Sequence, residues 1–244
     1  MFESKAGARK RGMAAAALAL LTMQSVQATA QTQRMDPDNP TCPIAPNWSS
    51  NAQMRFSMQQ IDGNSIMLAE GRIDDDLIPR LEAFLQANPE PYEIWIRSPG
   101  GNAQVGTRAG RIIRDRRLNT RIPAGWACFS ACNFMFMGGD MRNIDAGGLF
   151  IVHMFTHTGD RQVIRQQVAR GEDNTIGLIG DIEQQSALLA SEDNDFLIRM
   201  GVRRTLLTEV MYRVSAVSDA QNRETRRCLT PEQVVRYNVS TPPF

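Results

Sequence analysis

Apolar residues follow two rhythms through the middle of this chain. Ser65-Ile-Met-Leu-Ala69 is a short apolar run, which predicts a strand. Asp74 to Gln86 then sets Leu77, Ile78, Leu81, Phe84 and Leu85 at helical spacing, with three aspartates at the helix start. Glu93 to Arg97 predicts a second strand, and Ala103 to Arg117 a helix with Val105, Ala109, Ile112 and Ile113 facing inward. Asn119 to Ile122 is a strand, Ser130 to Met137 a helix, and Leu149 to His153 a buried strand. Strands separated by helical stretches of this length predict an α/β fold of βαβ units on a mainly parallel sheet.

Outside that core the rhythm changes. Gln31 to about Asn64 is polar and rich in Pro, Asn and Gln, and reads as a tether carrying one edge strand. After His153, Asp160 to Arg170 is polar and helical, Glu172-Asp173-Asn174 reads as a break, and Ile176 to Val202 predicts a long helix. Arg203 to Val214 predicts another. Thr230-Pro231-Glu232-Gln233 is a capping box with proline at the first helical position, opening a short last helix.

The amino terminus adds an address. Lys5, Arg9, Lys10 and Arg11 precede the apolar run Met13 to Leu21, and Ala28-Thr29-Ala30 follows, the order of a secretory signal peptide. The run is too short for a bilayer, which needs roughly 20 residues. The expected organisation is therefore a leader at 1–30, a polar segment at 31–64 and one domain at 65–244, in a periplasmic or secreted protein. Removing a leader of net charge +3 from a chain of net charge +1 leaves about −2. That balance gives no basic surface for nucleic acid or anionic lipid. Both lysines, Lys5 and Lys10, lie in the leader, so a lysine general base is excluded from the mature chain. Export permits disulfides: Cys42 can staple to Cys228, and Cys128 and Cys132 either pair locally or stay as small buried thiols.

Candidate chemistry concentrates between residues 93 and 154. Ser98-Pro99-Gly100-Gly101 ends a strand in a turn whose backbone can approach a ligand closely, as an oxyanion hole requires. No Gly-Lys-Ser/Thr ending makes it a phosphate loop. Ser130 stands at a helix start, where serine is ordinarily an N-cap. Its neighbours at 128 and 132 are cysteines and not the glycines of a nucleophile elbow of the G-x-S-x-G type, which disfavours an α/β-hydrolase. His153 closes a buried strand, where ligands gather in open α/β sheets. His157 stands four residues on, but with Met154 beside His153 the pair is no HExxH zinc motif, and no third ligand is near.

These three motifs, in this order, resemble the Clp protease proteolytic subunit and its relatives in the wider Clp/crotonase fold. That family carries a strand ending in N-S-P-G-G, a nucleophilic serine at the start of a buried helix, and a histidine at a later strand end. Arg97-Ser98-Pro99-Gly100-Gly101, Ser130 and His153 match it, and the C-x-S-A-C form with an export signal looks like a periplasmic branch. The resemblance covers about residues 65 to 155. It returns at Arg227 to Asn238, which is similar to the family's closing R-F-L-S-x-x-E-A-x-x-Y-G segment. It implies a Clp/crotonase-like stack with Ile176 to Val202 as the handle-type helix. It also implies Ser130 as nucleophile, His153 as general base, and the N–H groups of Gly101 and Ala131 as oxyanion hole. The third triad member is open: the family's aspartate falls on Arg226, leaving Glu224 or Asp219 as candidates. The expectation is thus an exported serine hydrolase acting on a peptide or acyl substrate, a homo-oligomer, with no cofactor or metal and no unfoldase partner named by the sequence. An inactive Clp-like protein that binds peptides or partners is the alternative. A crotonase acting on acyl-CoA is disfavoured by export, and a Ser–Lys peptidase by the missing lysine.

Overall fold

The computed structural model describes residues 34–37, 39–213 and 225–241, besides Met1. The remainder of the expected leader lies outside the described residues, as do both candidate acids, Asp219 and Glu224. The chain divides into Met1–Gln31 and Thr32–Phe244, and the second of these units carries all that follows.

Two sheets hold the strands in place. The larger has the order β1 (Arg55–Ile61), β2 (Asn64–Glu70), β3 (Glu93–Arg97), β4 (Thr120–Ile122) and β6 (Arg142–Ile144). Only the β1–β2 pair is antiparallel; each later pair is parallel. The smaller sheet pairs β5 (Ala127–Phe129) in parallel with β7 (Leu149–His153), and β7 antiparallel with β8 (Arg226–Cys228). The expected α/β fold with a mainly parallel sheet is the one observed.

The helices alternate with these strands. α1 (Leu77–Ala87) buries Leu77, Ile78, Leu81 and Leu85, the predicted apolar stripe. α2 (Ala103–Asp115) lies against α3 (Ala131–Met137), and the contact is close because it is made by glycines. A Cβ on Gly106 would stand 2.5 Å from the Ala131 carbonyl oxygen, and one on Gly110 2.3 Å from that of Phe134. All seven residues of α3 are buried. α4 (Arg161–Ala169) leads into α5 (Glu172–Arg199), then α6 (Thr205–Glu209), a 3₁₀ turn at Met211–Arg213, and α7 (Pro231–Arg236) with its capping box formed. None of the described helices is long and apolar enough to cross a membrane.

The pattern misled in four places. The stretch read as a break at 172–174 is the first turn of α5, where Glu172 and Asp173 suit the positive helix end. The helix expected from Arg203 is the shorter α6 followed by the 3₁₀ turn. Strands β5, β6 and β8, of three residues each, were missed. The polar segment is more than a tether. Cys42 is fully buried and disulfide-bonded to Cys228, and the Asn39 amide donates to the Arg226 carbonyl at 2.7 Å. Its edge strand, β1, turns into β2 through Asp62-Gly63, both at positive φ. An Asp-Gly pair between strands is a two-residue hairpin signal, and it was there to be read.

Arg142 locks the far end of the chain. Its guanidinium donates to the carbonyls of Gly139, Met200, Asn238 and Val239. Burial lowers its pKa to about 10, with repulsion from Arg114 adding to the shift. The cation is satisfied by carbonyl dipoles, not by a buried carboxylate.

Candidate active site

Three strand ends meet at one point. Beyond β3, the Ser98 N–H donates to the Ala127 carbonyl at 3.1 Å and the Phe129 N–H to the Ser98 carbonyl at 3.1 Å, so the end of β3 runs beside β5. β5 and β7 pair with Phe129 opposite Ile151. The residue after β5 is Ser130 and the last of β7 is His153. The result is a contact of 2.6 Å between Ser130 Oγ and His153 Nε2.

Ser130 is not an N-cap in the ordinary sense. Its side chain makes no capping hydrogen bond, and its backbone sits at φ 59°, ψ −125°. A non-glycine residue at positive φ costs on the order of 1–3 kcal/mol and persists only when its surroundings hold it there. Three features hold it. Its N–H donates to the Ile151 carbonyl at 3.3 Å. The Asn133 amide, one turn into α3, donates to the same carbonyl at 2.7 Å. A Cys128–Cys132 disulfide brackets the serine on both sides, which decides between the two states left open for those cysteines. The chain thus builds a strained strand-to-helix elbow without the glycines of the G-x-S-x-G form.

The two residues that the family resemblance implies as oxyanion donors, Gly101 and Ala131, lie beside Ser130. Ala131 is the first residue of α3, so its N–H has no intrahelical acceptor. The Ile73–Gly101 bridge is made by the Gly100 carbonyl and the Asn102 N–H, each at 2.9 Å, and does not use the Gly101 N–H. Gly101 lines a cleft of about 580 Å³ together with Ser130 and His153. Both glycines are required. Gly100 and Gly101 have φ of 83° and 149°. A Cβ would lie 2.5 Å from the Phe129 carbonyl oxygen at the first and 2.0 Å from that of Ile73 at the second.

His153 is held by packing and by one backbone bond. Its ring lies 4.8 Å from that of Phe129, which stacks on Trp48 at 5.6 Å. Burial pushes its pKa down to about 4, against a backbone hydrogen bond with Met154 that favours the charged form. At neutral pH the imidazole is therefore uncharged, as a base must be. No carboxylate among the described residues pairs with it. Arg226 faces it in the β7–β8 register, while the Arg226 guanidinium reaches the Pro43 and Ile44 carbonyls at 3.4 and 3.1 Å. His157 is apart from the site, 3.4 Å from Asp160. Among the described residues no group of three His, Cys, Asp or Glu could hold a metal.

A second cavity, of about 220 Å³, opens from the same serine toward α5. Its wall includes Asp193, 6% exposed, with a carboxyl pushed up to about 7 by burial and then by the charge of Glu192. Asp193 and the Trp48–Phe129 stack were missed from sequence. The only signal for Asp193 was a carboxylate on the inward stripe of a helix, one turn from Ala190 and Leu189.

No protein-family model matches the sequence, and no curated protein matches it. Solved structures that it resembles include those of two proteases. A mutant of ClpP1 from Listeria monocytogenes is 12% identical over 72% of this chain and 88% of that one, with a TM-score of 0.47. A mutant of the 1510-N membrane-bound stomatin-specific protease is 14% identical over 72% of this chain and 75% of that one, with a TM-score of 0.44. Another mutant of the same protease, solved with a substrate peptide, is 13% identical over 72% and 71%, with a TM-score of 0.42. The chemistry rests on the site's own geometry.

Proposed function

We propose that this protein is an exported serine hydrolase of the peptidase type, with Ser130 as nucleophile and His153 as general base. The 2.6 Å contact between Ser130 Oγ and His153 Nε2 carries the reading, because a structural N-cap serine would spend its hydroxyl on its own helix. The neutral imidazole accepts the Ser130 proton at Nε2 as Oγ attacks the substrate carbonyl. The N–H groups of Gly101 and Ala131 receive the oxyanion. Imidazolium then returns the proton to the leaving amine, the C–N bond breaks, and water repeats the sequence on the acyl-enzyme to release the acid. Export is supported by the leader pattern and by two disulfides in one domain, which oxidising compartments favour. Exposed Val163, Val168, Ile176, Ile179 and Leu188 along α4 and α5 support self-association. The inactive binding protein draws on one observation, that Arg226 and no described carboxylate faces His153, and the Ser130–His153 contact stands against it. Labelling with a fluorophosphonate tests the reading: Ser130 of the intact protein takes the probe, and Ser130→Ala and His153→Ala do not. An unlabelled Ser130 would sink it.

A further inference from the structure

The smaller cavity contains a carboxyl group that the acyl-transfer steps never use. Asp193 is buried on α5, makes no hydrogen bond to any described residue, and has its Oδ1 wholly covered. Leaving a carboxyl without partners in such a place is costly, so stability does not account for it. We infer that this cavity receives the substrate side chain on the acyl side of the scissile bond, and that Asp193 selects a cationic one, lysine or arginine. The inference rests on the peptidase reading above and names its substrate class.

Four observations carry it. The cavity begins at Ser130 and Ala131, where the attacked carbonyl would sit, so the substituent next to that carbonyl has this opening beside it. Its walls are mostly apolar, with Phe134, Leu189 and Met211 among them, which suits the methylene stem of lysine or arginine. Ser186, Leu189, Ala190 and Asp193 fall on one face of α5, so the carboxyl lies further along the cavity wall than the smaller residues. The other titratable groups lining the cavity, His153 and Tyr212, make no hydrogen bond with Asp193. That also rules Asp193 out as the group that orients His153. A guanidinium or ammonium would supply both the hydrogen bonds and the charge that the carboxyl lacks. Because the empty carboxyl titrates near about 7, the preference strengthens as pH rises through neutrality.

The test uses aminocoumarin peptides differing only in arginine or leucine before the cleaved bond, with intact wild type and Asp193→Asn. Thermal melting confirms that the variant is folded. The arginine-to-leucine ratio of kcat/KM should fall on the order of 10²-fold in Asp193→Asn, the scale of leaving one partner of a buried charge pair alone. It should also fall in wild type between pH 8 and pH 5.5. In parallel, benzamidine binding to Ser130→Ala is measured by calorimetry, a readout that needs no catalysis. Binding at pH 8 that is lost on adding Asp193→Asn supports the inference; no binding, or binding indifferent to Asp193, overturns it. An unchanged ratio with Ser130 still labelled by fluorophosphonate overturns the specificity alone. Loss of all labelling and hydrolysis overturns the peptidase reading, and benzamidine then decides the pocket by itself.

Discussion

His153 and Arg226 are direct cross-strand partners at the end of the β7–β8 pair. The position facing His153 is thus filled by a cation whose side chain runs toward the Pro43 and Ile44 carbonyls and over the Trp48 ring at 5.9 Å. Arg226 does structural work there: it pins the amino-terminal segment that carries Trp48 behind Phe129. Its guanidinium also lies 4.0 Å from the buried Asp36 carboxylate, so Arg226→Ala should destabilise the fold by about 3 kcal/mol, the scale of breaking a buried ion pair, read by urea unfolding.

Catalysis without a carboxylate at that position has its own signature. Ser130→Ala and His153→Ala should each abolish hydrolysis, and the double variant should be no worse than either, since the pair acts as one unit. His157→Ala should leave the rate near wild type. Asp219→Ala and Glu224→Ala then decide the third role, because whichever lowers kcat by on the order of 10²–10⁴ orients the imidazole. If both retain full rate, the enzyme works as a dyad held by Phe129 and the Met154 backbone.

Two groups in the site titrate away from their usual ranges in opposite directions. His153 falls to about 4 from 6.5. Its neutral form therefore contributes stability above about pH 6.5 that is lost as pH falls through about 4. Asp193 rises to about 7 from 3.8. It stabilises the fold most at low pH, and that contribution is lost as pH climbs through about 7. The acid limb of kcat/KM on a leucine substrate should accordingly lie near pH 4. Asp193→Asn should raise Tm at pH 8 by on the order of 5 °C, by less at pH 5, and least below the free carboxyl's 3.8. A limb at 6.5 would show that the imidazole is better solvated than its packing implies.

The sequence exposed the centre of the site more fully than its support. Ser130 and His153 were legible as candidates because each begins or ends an element with a strong apolar rhythm, while Gly101 and Ala131 came as oxyanion donors only from the resemblance to the Clp family. α1, α2, β3 and β7 were legible from the same apolar rhythm. What holds the site was not. β5, β6 and β8 were missed, yet β5 places Ser130 beside β7 and β8 sets Arg226 against His153. The polar segment before Asn64 gave no apolar pattern because it is anchored by Cys42, Asn39 and Trp48 singly. A third catalytic residue was ambiguous for a physical reason too: the position on which the resembled family's aspartate falls holds Arg226.

The glycine turn makes a sharper test of the oxyanion hole than any side chain can. Gly101→Ala puts a methyl 2.0 Å from the Ile73 carbonyl oxygen at φ 149°. The turn must move, and the Gly101 N–H moves with it. We expect kcat to fall by about 10²–10³, the cost of one oxyanion donor, with KM much less affected. Fluorophosphonate labelling should slow in parallel, because its transition state uses the same donors. A variant that unfolds is recognised by its melt, and Asn102→Ala, which removes the side-chain cap on the Val105 N–H at 3.1 Å, then serves as a milder displacement of the same turn.

The two disulfides should separate cleanly by what their loss costs. Cys42–Cys228 closes a loop of 186 residues in sequence separation, so its removal as a Cys42→Ala, Cys228→Ala pair should lower stability by about 2–5 kcal/mol. The described catalytic contacts do not include it, and kcat below the melt should change little. Cys128–Cys132 spans a separation of only 4, where the same entropy argument gives about 2 kcal/mol. Its position matters more than its loop. Ser130 lies between the two cysteines in sequence at a strained φ of 59°, and the bridge ties β5, just before the serine, to the first turn of α3, just after it. Without it, the elbow can relax toward ordinary helix entry, where the hydroxyl turns to cap α3 and leaves His153. Cys128→Ala, Cys132→Ala should therefore lower kcat by about 10-fold or more while costing less stability than loss of the longer loop. Measuring kcat and unfolding on both pairs checks this, and equal kcat losses from the two would remove the elbow from the explanation.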